Sequence, residues 1–324
     1  MRANLTPFQK IKAFAKGNPA VMAILISLLM YGFTIIMVPT AFNIGAISTI
    51  FMLTLLLSFA SAGQTFVLIG GGMDFTVGAV MSSAALITTT IMNSQDGRVL
   101  PALAAVLILG ASVGLLNGIC TTKIGLPALV VTMAISNVLT QLTFAFLGGN
   151  QGRFAGPAFI QSIIYRFFGV IPAISLYALI IFPLVFYILY RSRFGRQLYL
   201  VGNNPEAAKL AGIHVNRVRI LSYVISGMFS GFTGMLGAGL MQTARNQMFD
   251  GYAYDSLIAV IVGGTSFAGG IGTYTGSIAG SMLMVVLTNM LTALQFSQPI
   301  RHILMGGVMV LLLVMYNRRK AVRQ

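Results

Sequence analysis

Long apolar runs recur along the whole chain, and they limit its possible folds more than any other feature. About 20 apolar residues cross a bilayer as an α-helix. We interpret ten runs as membrane spans, at residues 20–39, 47–69, 79–92, 100–119, 128–148, 172–190, 220–241, 255–268, 272–294 and 302–317. A transmembrane β-barrel would show alternating residues in strands of about ten, and this pattern is missing from the sequence. The runs therefore predict an all-α polytopic membrane protein with about ten transmembrane helices.

The composition excludes several other classes of protein. Only 8% of the 324 residues are charged and 57% are hydrophobic, whereas an average soluble domain has about 25% charged residues. Too few charges are present to cover a globular surface, which argues against a soluble enzyme and a disordered chain. The single cysteine, Cys120, cannot form an intramolecular disulfide, which argues against a disulfide-stapled secreted domain.

The basic residues predict the orientation of the spans. If the N-terminus is cytoplasmic, fifteen of the twenty Lys and Arg residues fall on the cytoplasmic side, as the positive-inside rule requires. We therefore expect one membrane domain over residues 1–324, with cytoplasmic tails at 1–19 and 318–324 and a cytoplasmic loop at 191–219. The net charge of +15 is then a feature of topology, and we expect membrane lipid, not nucleic acid, around the chain.

A few uncharged polar side chains lie within the spans. Such groups must face protein or water, because hydrocarbon offers them no partner. They are Gln64, Asn117, Asn137, Gln141 and Asn289. One interpretation is hydrogen bonding between helices, and the other is a neutral lining for the path of a polyhydroxyl solute. No span carries a ladder of acidic residues, which weakens the case for an ion-coupled secondary transporter.

Two glycine-rich segments interrupt the spans, and we expect helix breaks there that serve gating. The glycines of span seven have small-xxx-small spacing, which is typical of close helix packing, but those at 70–78 and 263–276 are too dense for regular helix. Broken helices occur in membranes only where the backbone is buried in protein or lines a cavity. The gating candidates are Gly71, Gly72, Asp74, Gly78, Gly263, Gly264, Gly270 and Gly272. The short third and eighth spans flank these segments.

The two segments also resemble each other. Val67-Leu68-Ile69-Gly70-Gly71 is similar to Val260-Ile261-Val262-Gly263-Gly264. This similarity hints at an internal duplication.

Asp74 lies inside the first glycine-rich segment. A carboxylate there must be solvated or hydrogen-bonded. We expect it to accept hydrogen bonds from backbone N–H groups where the span near Ala79 begins, with Thr76 sharing the cap. Direct gating and solute contact are the alternatives.

The loop at 191–219 contains the signals of a short helix over 205–211. Asn204 suits the N-cap, Pro205 the first turn, and Glu206 the positive end of the helix. Ala207 and Ala208 favour helix, and Gly212 supplies the C-cap. A second helical turn is predicted at 214–219. Because an isolated short helix is marginal, we interpret the loop as a docking element for a cytoplasmic partner; an ordinary loop is the alternative.

Several ordered motifs resemble the ribose/xylose/branched-chain amino-acid permease family of ATP-binding-cassette importers, particularly its sugar branch. The coupling loop of that family is similar to Gly195-Arg196, Val201-Gly202-Asn203-Asn204-Pro205-Glu206-Ala207-Ala208 and Ala211-Gly212-Ile213. Its other glycine motifs are similar to Gly71-Gly72-Met73-Asp74-Phe75-Thr76-Val77-Gly78, Asn117-Gly118, Gly125-Leu126-Pro127, Val262-Gly263-Gly264-Thr265-Ser266 and Gly270-Ile271-Gly272-Thr273. Phe75 and Thr76 replace the usual Leu and Ser. The similarity covers roughly residues 40–317.

The resemblance implies a non-enzymatic permease subunit in the inner membrane of a bacterium, importing a monosaccharide such as ribose, xylose or galactose. It also implies a separate cytoplasmic ATPase that binds ATP and magnesium, a second permease subunit, identical or different, and an extracytoplasmic solute-binding protein. The sequence agrees with a separate ATPase. A P-loop requires a lysine followed by Ser or Thr, and no lysine in this chain is followed by either residue. A nucleoside, an autoinducer-type furanone or an amino acid remain alternative solutes, and a secondary transporter or channel and a scaffold without transport remain alternative functions.

Overall fold

Helices form almost all of the regular structure. A computed structural model describes residues 18–147 and 153–297, and residues 300, 301, 303, 304, 306 and 307. Within these ranges the α-helices are α1 Pro19–Met37, α2 Ile44–Ile69, α3 Val77–Met92, α4 Val99–Thr122, α5 Ala128–Phe146, α6 Pro157–Ile164, α7 Ile174–Phe186, α8 Arg193–Asn203, α9 Pro205–Leu210, α10 Val215–Met241, α11 Tyr252–Val262 and α12 Tyr274–Ala293. Single 3₁₀ turns occur at Pro39–Ala41 and Asp96–Arg98, and a π-helical turn, Tyr187–Arg191, continues α7. Two antiparallel two-residue strands, β1 Arg166–Phe167 and β2 Ile171–Pro172, form a hairpin.

Seven helical segments among the described residues are long and apolar enough to cross a membrane. They are α1, α2, α4 with its preceding 3₁₀ turn, α5, α7 with its π-helical turn, α10 and α12. The apolar helices α3 and α11 are shorter, which confirms the short third and eighth spans. The chain is an all-α, multi-pass membrane protein. The basic tail residues and most of the tenth span, 302–317, lie outside the described residues.

Two of the sequence predictions are wrong in extent. The predicted span 255–268 ends six residues early, at Val262, because Gly264 adopts φ +95° and stops the helix. The predicted loop 191–219 is mostly helical, with α8 and α9 within it and the start of α10 at Val215. The sequence does not predict α8, because this amphipathic helix lies on the surface and carries no long apolar run.

The loops that connect successive helices lie in turn at the two opposite ends of the molecule. At one end the Ser94 amide donates to the Phe154 carbonyl over 2.9 Å, and the Ala155 amide donates to the Gln242 carbonyl over 3.1 Å. At the other end, Pro19 packs against Gly264. We name the first end the outer end and the second the inner end, following the orientation that the basic residues predict.

Helix α10 occupies the centre of the packed body. Its glycines allow backbone-to-backbone contact with α4, since a methyl group on Gly227 would overlap the Gly110 carbonyl and one on Gly231 would overlap the Val106 carbonyl. Close packing through small residues, which the sequence predicted for span seven, is therefore confirmed.

Candidate coupling and gating site

The surface helix α9 has the local signals that its sequence predicted. The Asn204 side-chain oxygen accepts hydrogen bonds from the Glu206 and Ala207 amides, each over 3.1 Å. At the other end, Gly212 adopts φ +80°, and the amides of Gly212 and Ile213 donate to the carbonyls of Lys209 and Ala208. These two bonds form a Schellman C-cap. The helix 205–211 is thus confirmed to within one residue.

Only one face of α9 is available to a partner. Ala208 is buried in a cluster with Leu198, Val201 and Val218. Leu210, by contrast, is 91% exposed, and Glu206 and Ala207 are exposed beside it. Ala208, which belongs to the motif similar to the family's coupling loop, is therefore not available to a partner, because its methyl group holds α9 onto the chain.

Helix α8 is fixed at its start by Ser192, whose hydroxyl oxygen accepts from the Gly195 amide over 3.0 Å. Gly195 lies so close to the Leu189 carbonyl that a methyl group would overlap it. The exposed Arg196 donates from its guanidinium to the Arg191 carbonyl over 2.9 Å. Both sequence candidates therefore join α8 to the inner end of α7.

The far end of α8 enters a contact made of backbone atoms. A methyl group on Gly202 would overlap the Ile69 carbonyl, at the end of α2. The Gly270 amide donates to the same carbonyl over 2.9 Å, and Gly269 lies against Gly71 and the Gly202 carbonyl. We name this contact of Gly202, Ile69, Gly71, Gly269 and Gly270 the glycine junction. It joins the surface helices to both glycine-rich segments at one point.

The two glycine-rich segments begin with the same turn. At the end of α2 the amides of Gly71 and Gly72 donate to the Leu68 and Val67 carbonyls. At the end of α11, Gly264 and Thr265 donate to Ile261 and Val260 in the same pattern. Gly71 and Gly264 both have positive φ, +80° and +95°. The sequence similarity of these segments therefore corresponds to identical Schellman C-caps.

The later glycines pack closely around the start of α12. Gly263 and Gly276 contact each other through their backbones, and Gly272 packs against Thr265. The Tyr199 hydroxyl of α8 donates to the Gly272 carbonyl over 2.8 Å, and the Tyr190 hydroxyl oxygen accepts from the Tyr274 amide over 3.1 Å. Burial, with a contribution from Tyr190, raises the pKa of the Tyr199 hydroxyl, so that it remains a donor.

Asp74 links the first break to the packed helices. Its carboxylate oxygen Oδ1 accepts from the Thr76 amide over 2.9 Å and from the Thr76 hydroxyl over 2.5 Å, and Oδ2 accepts from Ser226 of α10 over 2.8 Å. Asn117 of α4 donates to the Thr76 hydroxyl oxygen over 2.9 Å. Asp74 is fully buried. It thus closes a turn just before α3, although we expected bonds to amides within that helix.

The N-terminal ends of the two short helices meet inside the protein. Gly78, in the first turn of α3, lies against the carbonyls of Phe249 and Asp250, just before α11. Ser82 accepts from the Phe249 amide over 2.9 Å, and the rings of Phe75 and Tyr254 stack edge to face with 5.5 Å between centroids. The sequence predicts that these two spans are short, but no sequence signal predicts that they touch.

The five polar candidates for path lining do not form one surface among the described residues. Gln64 and Asn117 are fully buried. Asn137 and Gln141 are exposed, one turn apart on α5. Asn289 lies at the outer end, in a cavity of about 270 Å³ between α1, α2 and α12. Their roles stay predictions, and only Asn137 and Gln141 lie together on an open face.

Comparison with known proteins gives the same family as the motifs. The family described as "Branched-chain amino acid transport system / permease component" matches residues 46–313. The galactose/methyl galactoside import permease protein MglC of Haemophilus influenzae is 31% identical over 95% of this chain and 96% of its own length. The ribose import permease protein RbsC of Escherichia coli K12 is 27% identical over 87% of this chain and 88% of its own length. RbsC of Bacillus subtilis is 30% identical over 80% of this chain and 80% of its own length. No solved structure matches the chain.

Proposed function

Because the chain belongs to the permease-component family of branched-chain amino acid transport systems, we propose that it is the transmembrane permease subunit of an ATP-driven importer of a monosaccharide. The relatives named for ribose and galactose import support a sugar over an amino acid. This subunit performs no bond chemistry. It provides the route through the bacterial inner membrane and the elements that open and close it.

The glycine junction is the observation that carries this proposal. The surface helix α8, against which α9 packs through Ala208, contacts the end of α2 and the loop before α12 directly through its backbone. A cytoplasmic partner that moves α8 and α9 therefore moves both helix breaks together. This is the arrangement that a permease needs when its energy comes from another protein.

We assign ATP and magnesium to a separate ATPase, which docks on the exposed face of α9 around Leu210, Glu206 and Ala207. An extracytoplasmic binding protein delivers the solute to the outer end. These partners follow from the family. The sequence agrees that ATP binds to another protein, because no lysine in this chain is followed by the Ser or Thr that a P-loop requires.

The exposed face of α5 is our candidate for the path. Asn137 and Gln141 lie one turn apart, among apolar neighbours that also face outward. Amide side chains exposed to hydrocarbon are costly, so this face suits a second permease subunit with a water-filled route between the two. Neutral amides can hydrogen-bond a polyhydroxyl solute without binding it tightly.

Reconstitution tests the proposal. The chain, its ATPase and its solute-binding protein are reconstituted in proteoliposomes, and uptake of labelled ribose and galactose is measured with and without ATP on the ATPase side. We expect uptake only with ATP, competed by a monosaccharide and not by a nucleoside or an amino acid. Uptake driven by a proton or sodium gradient without ATP would instead identify a secondary transporter.

A further inference from the structure

The hairpin at the outer end carries an aromatic residue that the fold itself does not explain. Its turn places Phe168 and Gly169 at φ +53° and +72°, and the Val170 amide donates to the Phe167 carbonyl over 3.1 Å. Turns with two left-handed residues favour Asn-Gly or Asp-Gly. A bulky side chain in this conformation is an outlier that costs about 1–3 kcal/mol.

Packing within the chain does not offset that cost. The Phe168 side chain is 96% exposed, although phenylalanine is among the residues most often buried. Its neighbours Tyr165, Val170 and Ile171 are also exposed, by 54%, 45% and 49%. The hairpin therefore presents an apolar tip, and its Phe168 side chain packs against almost nothing among the described residues.

The position of the hairpin indicates that membrane lipid covers this tip. Strand β2 leads into α7, which crosses the membrane, and Arg166 lies beside Gly45 at the outer end of α2, another spanning helix. The hairpin thus sits at the level where two spans leave the bilayer. Aromatic residues are enriched at this level because their rings suit the boundary between head groups and acyl chains.

A cleft connects the hairpin to the lipid-facing surface of α7. Its volume is about 340 Å³, and its walls include Tyr165, Phe167, Leu176 and Ile180. Leu179 and Ile180, one turn further along α7, are 72% and 70% exposed on the spanning helix. The apolar surface is therefore continuous from the hairpin down the side of the helix, with the dimensions and chemistry that an acyl chain requires.

The charges near the hairpin fit a phospholipid. Arg166 is its one charged residue. Asp96, an acid at the same end, accepts hydrogen bonds from the Ala158 and Phe159 amides at the start of α6. Arg166 is not in the wall of the cleft; its guanidinium lies beside Gly45 at the same outer end, at a level where it can meet the phosphate of a phospholipid head group.

We propose that the Arg166–Pro172 hairpin is a membrane anchor: Phe168 inserts into the outer leaflet, and a phospholipid occupies the cleft between the hairpin and α7. The anchor fixes the outer end of α7, whose inner end continues into the π-helical turn and α8. It is independent of the solute and of the ATPase.

The absence of tryptophan from the chain allows a direct test. Phe168→Trp is introduced into the full chain, which is reconstituted in nanodiscs, and the fluorescence of the single indole is recorded with lipids brominated on the acyl chains and with aqueous iodide. Leu210→Trp, 91% exposed on α9, is the matched control. Val170→Trp, on the same turn, is a second reporter if Phe168→Trp folds poorly.

We expect blue-shifted emission from the hairpin reporter, with at least about twofold stronger quenching by bromolipid and weaker quenching by iodide than in Leu210→Trp. Emission and iodide quenching equal to those of the control would overturn the proposal. So would a reporter that bromolipid does not quench and that shifts only when the solute-binding protein is added, or only when two chains share a disc. Those results would assign the tip to a protein surface.

Discussion

The Gly270 amide donates a 2.9 Å hydrogen bond to the Ile69 carbonyl. These residues are far apart in sequence: Ile69 directly precedes the first glycine-rich segment and Gly270 belongs to the second. Gly202 of α8 lies against both residues. Because all of the contacting atoms belong to the backbone, a side chain at Gly202 has no space.

The first prediction concerns this contact. In Gly202→Ala the new methyl group overlaps the Ile69 carbonyl and lies 2.5 Å from the Gly270 amide nitrogen. We expect a loss of about 1–3 kcal/mol in local stability and uptake reduced at least about tenfold, while ATP hydrolysis continues without stimulation by loaded binding protein. Uptake and ATPase activity in proteoliposomes measure both effects.

Gly32→Ala is the matched control for that variant, because nothing lies within 4 Å of the added carbon atom. It should behave as wild type. If Gly202→Ala also transported normally and remained coupled, the glycine junction would have no part in transmission.

The second prediction separates the two faces of α9. Leu210→Glu should leave the yield of folded protein unchanged, since the side chain is 91% exposed, but should weaken co-purification of the ATPase. Ala208→Glu should lower the yield itself, because it places a charge in the buried cluster with Leu198 and Val201. Equal yields for the two variants, or normal ATPase binding by Leu210→Glu, would contradict this division.

The third prediction concerns Asp74. In Asp74→Asn the side-chain oxygen can still accept from the Thr76 amide, so substantial transport should remain. Asp74→Leu leaves Ser226 and Thr76 without their acceptor, which costs about 3 kcal/mol, so folded yield and transport should both fall. Membrane abundance and uptake are measured together. Abolished uptake at normal abundance in Asp74→Asn would mean that the negative charge itself is functional.

The fourth prediction tests the path on α5. In a Cys120→Ser background, Asn137→Cys and Gln141→Cys should react with a water-soluble maleimide in the reconstituted complex. Leu179→Cys, which is 72% exposed on α7, should react far more slowly, because its surface faces lipid. Equal labelling at the three positions would exclude α5 as the water-filled face.

Local signals in the sequence predict α9 with its ends and most of the long spans. Asn204 and Gly212 determine α9 through hydrogen bonds within a few residues, and apolar run length determines most of the spans. Contacts between distant segments were not predictable in this way. Nothing near Gly202 indicates that it will meet Ile69, and nothing near Gly78 indicates Asp250.

The sequence does not predict three local elements: α6 Pro157–Ile164, the hairpin and α8. The Phe-Gly turn of the hairpin lacks the Asn or Asp that usually signals such a turn. Helix α8 is polar on one side and has no long apolar run, so its sequence indicates a loop. The path residues could not be sorted by sequence either, because Gln64 and Gln141 have the same chemistry, and burial alone distinguishes them.

The glycine junction is a contact between backbone segments, and this has a mechanical consequence. Side-chain contacts absorb small displacements when torsion angles rotate into neighbouring wells, so part of any input movement is lost. At Gly202, Ile69 and Gly270 there is no such torsion to rotate. The glycine junction is therefore stiff. A displacement of α8 should move α2 and the start of α12 by the same amount and at the same time.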